Sequence, residues 1–348
     1  MPDSADLPHS SGVTIRPLAD LTELDLFRSL PYGLNDEIEA DLDAGRRRLP
    51  WLWIALRHGR VVARAGWWAR QEGAESLLLD IFDLESPGGP HRGDTSDGAD
   101  TSDATHCADG SGAAGAADRV AVGAALLRAA MARLFPGTGP RPGYCRFLPP
   151  DWREIPEESR ALGDRVEALQ STGARPLVER LRLQWLPGDP VPGPSKRLRF
   201  RHVASRGELV DLMTGVLDGT LDAHSRSDLS TMTARRCAEE QYDGELARYR
   251  SPQAWWRVAT LPDGEPVGFV VPARNAYGPI IAYLGVLPAH RGAGYVTDVL
   301  GEGTRVLAAA GAERVRASTD VGNTPMARAF ARAGYATFER QLDMTWEA

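Results

Sequence analysis

The chain has 348 residues, more than one typical domain holds, and 43% of them are hydrophobic, which is enough to form two separate cores. Its formal net charge of −7 argues against nucleic acid or an anionic membrane surface as the main partner. No apolar run approaches the roughly 18 residues that a membrane-spanning helix needs, so the composition predicts a two-domain globular protein.

The N-terminal half begins with a polar tail and continues with short strands. Residues 1–12 lack the basic and then apolar order of a signal peptide, so we expect a loose tail. Residues 13–24 read as a strand that leads into an amphipathic helix. A hairpin follows, in which two apolar runs, residues 51–56 and 61–68, flank a His-Gly turn.

A segment of low complexity interrupts the first half. After the apolar run 77–84, residues 86–118 are rich in Gly, Ser, Thr, Ala and Asp and include the near-repeat Asp94-Thr-Ser-Asp97-Gly-Ala-Asp100-Thr-Ser-Asp103. Such a composition cannot bury enough apolar surface to offset the entropy of ordering, so we expect disorder. A calcium loop is the alternative, but those loops place acids at alternate positions and not at every third one. A helix is predicted to resume over residues 120–135.

The second half of the chain repeats the first. Four residue types recur at a constant offset of 185 between two strand-to-helix segments, namely Arg16, Ala19, Glu23 and Leu24 against Arg201, Ala204, Glu208 and Leu209. A second hairpin with a Pro-Asp-Gly turn, residues 256–271, matches the first. Near the ends of the halves, Gly173 and Trp185 match Gly334 and Trp346 at an offset of 161, so the first half carries 24 extra residues (185 − 161 = 24). The repeat predicts two copies of one domain.

A proline-rich linker separates the two copies. Four prolines fall within residues 187–194, which stiffens this segment and excludes a helix or a central strand. The predicted boundaries are therefore residues 13–186 for the first domain, 187–197 for the linker and 198–348 for the second domain.

The second domain contains a strand, a glycine turn and a helix in direct succession. Residues 280–286 form an apolar, β-prone run, and the turn that follows carries Arg291, Gly292 and Gly294. A helix is predicted from Val296, where apolar residues recur at helical spacing. The exposed amides of such a turn and the positive end of the helix dipole favour an anion such as a pyrophosphate, to which Arg291 can add a positive charge.

Another strand and helix follow. Residues 314–319 read as a strand, and Thr324 with Pro325 is a good start for a short helix. That helix carries Met326, Phe330 and Ala333 and is predicted to stop at Gly334.

These elements resemble the GNAT superfamily of N-acetyltransferases. The family's pyrophosphate loop, Arg/Gln-x-x-Gly-x-Gly/Ala, is present as Arg291-Gly-Ala-Gly294-Tyr-Val296, with Val296 in place of the last small residue. The family's later Asn, aromatic residue and Gly-aromatic pair are present as Asn323, Phe330 and Gly334-Tyr335. The match covers residues 198–346. The first copy keeps the strands and helices but has no such loop.

The resemblance implies an α/β fold of two tandem GNAT-like domains, each a mixed, mostly antiparallel sheet with helices on both faces. The first domain is then a degenerate copy, and the second binds acetyl-CoA as the acyl donor. It assigns cofactor binding to Val286, Leu287, Arg291, Gly292, Ala293, Gly294, Tyr295, Val296, Asn323 and Phe330. The Val286 amide is also expected to polarise the thioester carbonyl. The alternative is that the glycines of this loop have a structural role only and that the loop binds no ligand.

Acyl transfer to an amine also requires that the amine be neutral, so a base or a desolvating site is needed. The sequence offers five candidates and does not choose among them: Asp218, Asp222, His224, Tyr283 and Asp298. The first three lie where the substrate loops of the family fall, and Tyr283 lies on the strand beside the thioester. For Asp298, in the first turn of a helix, complementing the dipole is the simpler role. We take Asp222, His224 and Tyr283 as catalytic candidates together with Val286.

The leaving thiolate has no obvious proton donor. Many relatives carry a tyrosine where this chain has Phe330, and phenylalanine cannot donate a proton. Tyr335 is the alternative donor, although packing at the helix end is the favoured interpretation of that residue. We expect Phe330 to pack on the pantetheine arm.

We expect a cytoplasmic enzyme that transfers an acetyl group from acetyl-CoA to a primary amine of a small molecule in a ternary complex. The alternatives are a protein or peptide N-acetyltransferase and a non-catalytic acyl-CoA-sensing module. No metal, nucleic acid or membrane partner is expected. Three widely spaced cysteines, Cys107, Cys145 and Cys237, favour reduced thiols over a disulfide or a zinc site. The oligomeric state stays open.

Overall fold

A computed structural model describes residues 12–69, 77–86, 109–137, 139 and 141–346. The chain forms two compact units. Unit 1 consists of Met1–Arg146, Asp151–Pro176 and Asp343–Ala348, and unit 2 of Phe147–Pro150 and Leu177–Leu342. Residues 177–186 of the first sequence repeat thus belong to unit 2, and residues 343–348 of the second belong to unit 1. The domain boundaries drawn from the repeat stay a prediction.

Unit 1 is built on a mixed sheet. Its strands are β1 (Val13–Pro17), β2 (Leu52–Arg57), β3 (Arg60–Ala69), β4 (Leu77–Leu84) and β5 (Tyr144–Leu148), of which the last two residues are assigned to unit 2. The α-helices of its described part are α1 (Leu24–Arg28), α2 (Ile38–Asp43), α3 (Asp109–Leu134) and α4 (Pro156–Gln170). The strands lie side by side in chain order, and all neighbours are antiparallel except the parallel pair β4 and β5.

The first helix after the low-complexity segment is longer than the sequence predicts. Helix α3 begins at Asp109, so the expectation of disorder up to residue 118 and of a helix start at Val120 is wrong. Alanine has the highest helix propensity and is frequent in residues 113–125, which favours extension of the helix toward its N-terminus. Asp118 also pairs with Arg57 of β2 at 2.7 Å. The acidic near-repeat, residues 94–103, lies outside the described residues.

The predicted hairpin of unit 1 is confirmed. Strands β2 and β3 are joined by His58 and Gly59, both with positive φ (51° and 77°), as two-residue hairpin turns require. The sheet buries both of its faces. On one face, Gly66 of β3 lies close to both Ile81 of β4 and Phe27 of α1, which a Cβ added at Gly66 would contact. On the other face, Phe82 of β4 lies close to Gly123 of α3. Adjacent residues of a strand point to opposite faces, so helices cover both sides.

Unit 2 has the same kind of sheet. Its strands are β6 (Arg175–Trp185, from Leu177 on), β7 (Arg199–His202), β8 (Arg257–Thr260), β9 (Pro266–Asn275), β10 (Gly278–Val286), β11 (Val315–Asp320) and β12 (Ala336–Thr345, up to Leu342). Its α-helices are α5 (Arg206–Leu217), α6 (Ala223–Leu229), α7 (Ala234–Gly244), α8 (Tyr295–Ala309) and α9 (Thr324–Arg332). The strand order is β12-β6-β11-β10-β9-β8-β7. Of the pairings described for β6 to β11, only that of β10 with β11 is parallel.

Helices also cover both faces of the unit 2 sheet. Val270 of β9 packs in one core with Val299, Leu300 and Leu307 of α8. Its neighbour Val271 packs in a second core, which includes residues of α5 and α7. The predicted hairpin of β8 and β9 and the predicted helix α8 are confirmed. Both units therefore have the mixed α/β architecture that the sequence predicts.

An ion pair marks the sequence repeat in both units. In unit 1, Arg16 contacts Glu23 at 2.6 Å, and the same carboxylate accepts the Ala19 amide at 2.8 Å. In unit 2, the residues 185 positions later form the same arrangement, in which Arg201 contacts Glu208 at 2.5 Å and the Ala204 amide donates to that carboxylate at 2.7 Å. Each glutamate thus anchors the entry of a helix to the strand before it.

The linker packs on unit 2. Residues 187–197 contain neither helix nor strand. The backbone of Pro190 lies against Gly334, where an added Cβ would come within 2.1 Å of the Pro190 carbonyl oxygen. Gly334 also has a φ of +85°, so two separate restrictions favour glycine at this position. Pro192 contacts Gly301 of α8 in the same way, at 3.1 Å from an added Cβ.

Candidate functional site

The site is an opening between two parallel strands of unit 2. Strands β10 and β11 pair at Ile280 with Arg316 and at no other described position. Past this pair β10 continues for six residues to Val286 and stays paired with β9. One edge of β10 is therefore left without a strand partner along residues 282–286.

The Val286 amide points into this opening. Leu287 donates its N–H to Val267 of β9 at 2.9 Å. Hydrogen-bonded residues alternate in an antiparallel ladder, so Gly285 also bonds to β9, whereas Val286 directs its N–H to the opposite edge. This is the orientation that an oxyanion donor needs. The amide of Leu287, which the sequence also assigns to the cofactor, is occupied by the ladder.

The loop after β10 presents a run of unpaired amides. Gly292 and Gly294 adopt positive φ values of 80° and 77°, and Gly294 is the N-cap residue of α8. The Arg291 amide donates to Pro288 at 3.2 Å. The next five amides donate to no described residue, namely those of Gly292, Ala293, Gly294, Tyr295 and Val296. Together with the dipole of a 15-residue helix, they form an anion-binding surface.

The Arg291 side chain contacts other parts of the protein. Its Nη atoms donate to the carbonyl oxygens of Asp218 (2.7 Å) and Val216 (2.8 Å) at the end of α5, and its Nε donates to Val286 at 3.1 Å. The Nη contacts satisfy carbonyl groups that a helix C-terminus leaves unpaired. The side chain therefore ties the loop after β10 to the end of α5, and the expected role of Arg291 in cofactor binding stays a prediction.

Two other arginines supply positive charge at the start of α8. Arg197 donates to the Ala293 carbonyl at 2.8 Å, pairs with Asp298 and lies 4.7 Å from the centre of the Tyr295 ring. Arg332 donates to the Thr297 hydroxyl at 3.1 Å. Sequence reasoning missed Arg197 because it lies 96 residues before Ala293, in the predicted linker.

The aromatic residues predicted near the thioester lie in the core. Phe330 is 1% exposed and packs edge-on against Tyr335, with ring centres 5.1 Å apart. This burial argues against the expected contact of Phe330 with pantetheine. The Tyr335 hydroxyl pairs with Thr304 at 2.8 Å, and burial raises its pKa, so it is a poor proton donor to a thiolate. Asn323 caps α9 by accepting the Met326 amide at 3.3 Å.

A cluster of charged side chains lies at the far end of β11. Asp320, the last residue of β11, is 2% exposed and accepts the Ala223 amide at 2.6 Å. Asp222 caps α6 by accepting the Ser225 amide at 2.8 Å. Arg180 of β6 lies between the two carboxylates, at 3.1 Å from Asp320 and 3.6 Å from Asp222. Two carboxylates against one guanidinium make the cluster attractive to a cation.

The pKa values of the two carboxyl groups are shifted in opposite directions. Burial raises the pKa of Asp320, and the nearby charge of Asp222 raises it further. For Asp222, burial acts in the same direction, but the Ser225 hydrogen bond and the Arg180 charge outweigh it and lower the pKa below its ordinary value. Asp222 is also the more accessible of the two, with a side chain that is 32% exposed. Asp222 is therefore the more accessible carboxylate and the one whose pKa shift favours the charged form.

Tyr283 lies within reach of this cluster. Its ring stacks on Phe269 at 5.3 Å, and burial together with the charge of Asp222 raises its pKa. A tyrosine with a raised pKa is protonated at neutral pH and does not serve as a base. His224 follows the cap of α6, and its positive form lowers the pKa of Asp222. The structure thus brings together Asp222, His224 and Tyr283, whereas Asp298 stays at the start of α8, as the dipole argument predicts.

Two exposed apolar residues are chain neighbours of the carboxylates. Leu221 precedes Asp222 and is 44% exposed, and Val321 follows Asp320 and is 40% exposed. Both belong to the small set of large hydrophobic residues that the described part of unit 2 exposes.

The family comparison agrees with this geometry. Residues 223–335, which include β10, α8, β11 and α9, match the model of the acetyltransferase (GNAT) family. This part of the chain is a GNAT-family domain, and the fold of that family supports acyl transfer. A search of curated protein sequences finds no match.

Solved structures extend the likeness to nearly the whole chain. A GCN5-related N-acetyltransferase from Sphaerobacter thermophilus is 15% identical, with a TM-score of 0.55 over 97% of both chains. A tandem GNAT protein from the clavulanic acid biosynthesis pathway is 15% identical, with a TM-score of 0.46 over 97% of this chain and 99% of that one. A glucosamine N-acetyltransferase region of a fungal multi-domain GH3 β-N-acetylglucosaminidase is 14% identical, with a TM-score of 0.52 over 98% of this chain and 39% of that one. The first and third show the fold alone, and they confirm the predicted fold class.

Three further findings bear on the expected partners. In the described part of the chain, no helix is long and apolar enough to cross a membrane. Within the same residues, no group of three or more His, Cys, Asp or Glu side chains could hold a metal ion. Cys145 and Cys237 are buried, and Cys107 lies outside the described residues.

Proposed function

We propose that unit 2 binds acetyl-CoA at the loop 291–296 and transfers its acetyl group to a primary amine of a small molecule. The observation that carries this proposal is the run of five unpaired amides from Gly292 to Val296 at the N-terminus of α8. A diphosphate satisfies such amides and is stabilised by the helix dipole.

The residues present fit the diphosphate of coenzyme A. A Cβ added at Gly292 meets nothing within 4 Å, so the backbone there is open to a ligand. Arg197 and Arg332 place positive charge at the same helix end. Acetyl-CoA would supply the thioester, and the Val286 amide faces the opening, where it can donate a hydrogen bond to a carbonyl oxygen. One preorganised donor of this kind contributes roughly a hundredfold to a thousandfold in rate.

Asp222 is the residue that we assign to the acceptor. Its carboxylate is anionic because its pKa is lowered, and it is held in place by the α6 cap and Arg180. It can therefore bind an ammonium group. His224 stays the candidate base for the proton that the amine must lose, because it adjoins Asp222 and histidine is the residue that most often serves as a general base.

The surroundings of Asp222 favour an amine with an apolar body. Leu221 and Val321 expose aliphatic surface next to the two carboxylates. An alkyl or aryl group attached to the amine can cover this surface and gain hydrophobic free energy, about 25 cal/mol per Å². Polyamines and amino sugars would leave it exposed to water.

A thiol-release assay with a panel of amines tests the function. The panel compares hexylamine and phenylethylamine with spermidine and glucosamine at equal concentrations of acetyl-CoA. We expect thiol release above the amine-free rate, faster for the apolar amines, and a loss of about a hundredfold in kcat/KM for Asp222→Asn. Binding of coenzyme A without thiol release to any amine or peptide would indicate a sensor and not an enzyme. No binding at millimolar coenzyme A would contradict the whole proposal.

A further inference from the structure

Unit 1 contains a buried cluster of three arginines around one aspartate. Asp83 of β4 is 1% exposed, and it is contacted by Arg64 of β3 at 2.7 Å, Arg146 of β5 at 2.9 Å and Arg165 of α4 at 3.2 Å. The three arginine side chains are 0%, 5% and 7% exposed, respectively. Four elements of the unit therefore meet at this one carboxylate.

The charges of this cluster do not balance. Three guanidinium groups face the single carboxylate of Asp83, which leaves an excess of positive charge. Glu158, half-buried on α4, also attracts Arg165 and offsets part of it. Burial lowers the pKa of Arg64 and Arg165, and for Arg165 the charge of Arg146 lowers it further. Buried charge without a counter-charge is costly, because little water is present to solvate it.

The hydrogen-bond donors of the cluster do not balance either. Apart from Arg64 Nη2, which lies 2.7 Å from Asp83, four buried polar atoms of the cluster have no hydrogen-bond partner among the described residues: Arg146 Nε, Arg165 Nε, Arg165 Nη1 and Tyr144 Oη. Tyr144 is 1% exposed, and the charges of Arg146 and Arg165 both act on its hydroxyl. Buried polar groups in folded proteins nearly always have a partner, which the protein, water or a bound ion supplies.

We infer that unit 1 binds a small oxyanion, of the chemistry of phosphate or sulfate, at Arg146, Arg165 and Tyr144. An oxyanion supplies both of the things that the cluster lacks, namely negative charge and several acceptor oxygens. Guanidinium groups bind such anions through pairs of parallel hydrogen bonds, and the three unpaired guanidinium atoms here belong to two adjacent arginines. The site does not depend on the function proposed for unit 2.

The test is thermal unfolding of the full chain in inorganic phosphate, compared with sodium chloride at the same ionic strength. We expect a saturable rise of the melting temperature, about 5 °C when phosphate reaches roughly 100 times its Kd. Phosphate also stabilises proteins non-specifically by exclusion from their surface, but that effect does not saturate.

Two variants separate the site from other effects. Arg165→Met removes two of the unpaired donors and one excess charge. We expect it to lose the saturable response and to melt, in chloride, at or above the temperature of the wild type. Arg160→Met is the matched control, because Arg160 is exposed on the same helix and contacts only Pro156 in the described structure, so it should keep the full response.

The outcomes are distinct. Any phosphate bound by the unit 2 loop contributes equally to all three proteins, so only the difference between them reports on unit 1. Equal saturable responses in the wild type and in Arg165→Met would overturn the inference, as would the absence of a saturable response in the wild type. A fall in the melting temperature of Arg165→Met in chloride would assign the arginine to a structural ion pair and would also overturn it.

Discussion

Each unit has an opening between two parallel strands, and different groups lie at the opening in the two units. In each, two parallel strands pair at a single position, Ile280 with Arg316 in unit 2 and Leu79 with Tyr144 in unit 1, and then continue without further pairing. In unit 2 the opening presents the Val286 amide. In unit 1, Asp83 lies four residues past the pairing position and is contacted from the neighbouring strand by Arg146.

The difference shows how one sheet can serve as a site or as a scaffold. Parallel strands that diverge leave backbone groups unpaired, and such groups must be satisfied. Unit 2 leaves them open to a ligand. Unit 1 brings charged side chains across the gap, so that Arg146 and Arg165 both contact Asp83. Ion pairs therefore join the elements of unit 1 at the place where unit 2 has an opening.

The largest effect is expected at the centre of the unit 1 cluster. Asp83→Asn removes the carboxylate that contacts all three arginines and leaves their buried charges without that partner. We expect a loss of about 3–5 kcal/mol in the free energy of unfolding, measured by urea denaturation.

The control is Asp118→Asn, because Asp118 forms an exposed pair with Arg57 in the same unit. We expect it to cost less than about 1 kcal/mol. If the double variant Asp83→Asn with Arg165→Met is no more stable than Asp83→Asn alone, excess charge is not the source of the loss.

The next effect tests the open loop of unit 2. Gly292→Asp places a carboxylate beside the unpaired amides, and Gly292→Asn is its uncharged match. Both side chains tolerate a positive φ better than most and meet nothing within 4 Å. We expect Asp to weaken coenzyme A binding roughly 30- to 100-fold more than Asn, which corresponds to ~2–3 kcal/mol of repulsion.

Calorimetry on the two variants measures this difference. Equal affinities in the aspartate and asparagine variants would show that the diphosphate binds elsewhere. The urea midpoints of both variants should agree, since only charge distinguishes them.

The loop could be predicted from sequence, and the electrostatics around it could not. Glycines after an apolar strand and before a helix are local signals, so Gly292, Gly294 and α8 follow from residues that are close in the chain. The contacts of Arg291 with the end of α5 and of Arg180 with Asp320 depend on tertiary packing of distant segments. The local sequence around an arginine does not indicate which carbonyl or carboxylate group the side chain will contact.

The start of α3 shows a second limit. Low complexity predicted disorder up to residue 118, yet the helix includes residues 109–118. The prediction used the average composition of residues 86–118, which are 33 residues. This average did not reveal that the C-terminal part of the segment is richer in alanine than the rest. Tertiary contact adds to the local preference, because Asp118 pairs with Arg57 of β2.

Acid sensitivity of unit 1 is the third expected effect. Burial alone would raise the pKa of Asp83, but the three arginines outweigh it and lower the pKa to about 2. A group with a depressed folded pKa stabilises the protein above its unfolded pKa, near 3.8, and this stability is lost as the pH falls toward 2. Its size is about 2 kcal/mol.

Urea midpoints measured from pH 5 to pH 2 test this expectation. Glu23 also has a pKa lowered to about 2, because of its bond to Arg16, so the Glu23→Gln variant removes this second large contribution of unit 1. A midpoint of that variant that does not change between pH 4 and pH 2.5 would contradict the assignment.

The smallest effect concerns the Arg–Glu ion pair that marks the sequence repeat in both units. Glu23→Gln and Glu208→Gln each keep an oxygen that can accept the backbone amide but lose the charge that pairs with arginine. We expect each to cost about 0.5–1 kcal/mol of unfolding free energy, with the larger loss in unit 1, because Arg16 is less exposed than Arg201 (33% against 44%). Raising the salt concentration should reduce both losses, since exposed pairs are screened. A loss above about 2 kcal/mol at either site would contradict the expectation for an exposed ion pair. If only one of the two variants showed such a loss, the two units would differ in their helix entries as well as in their openings.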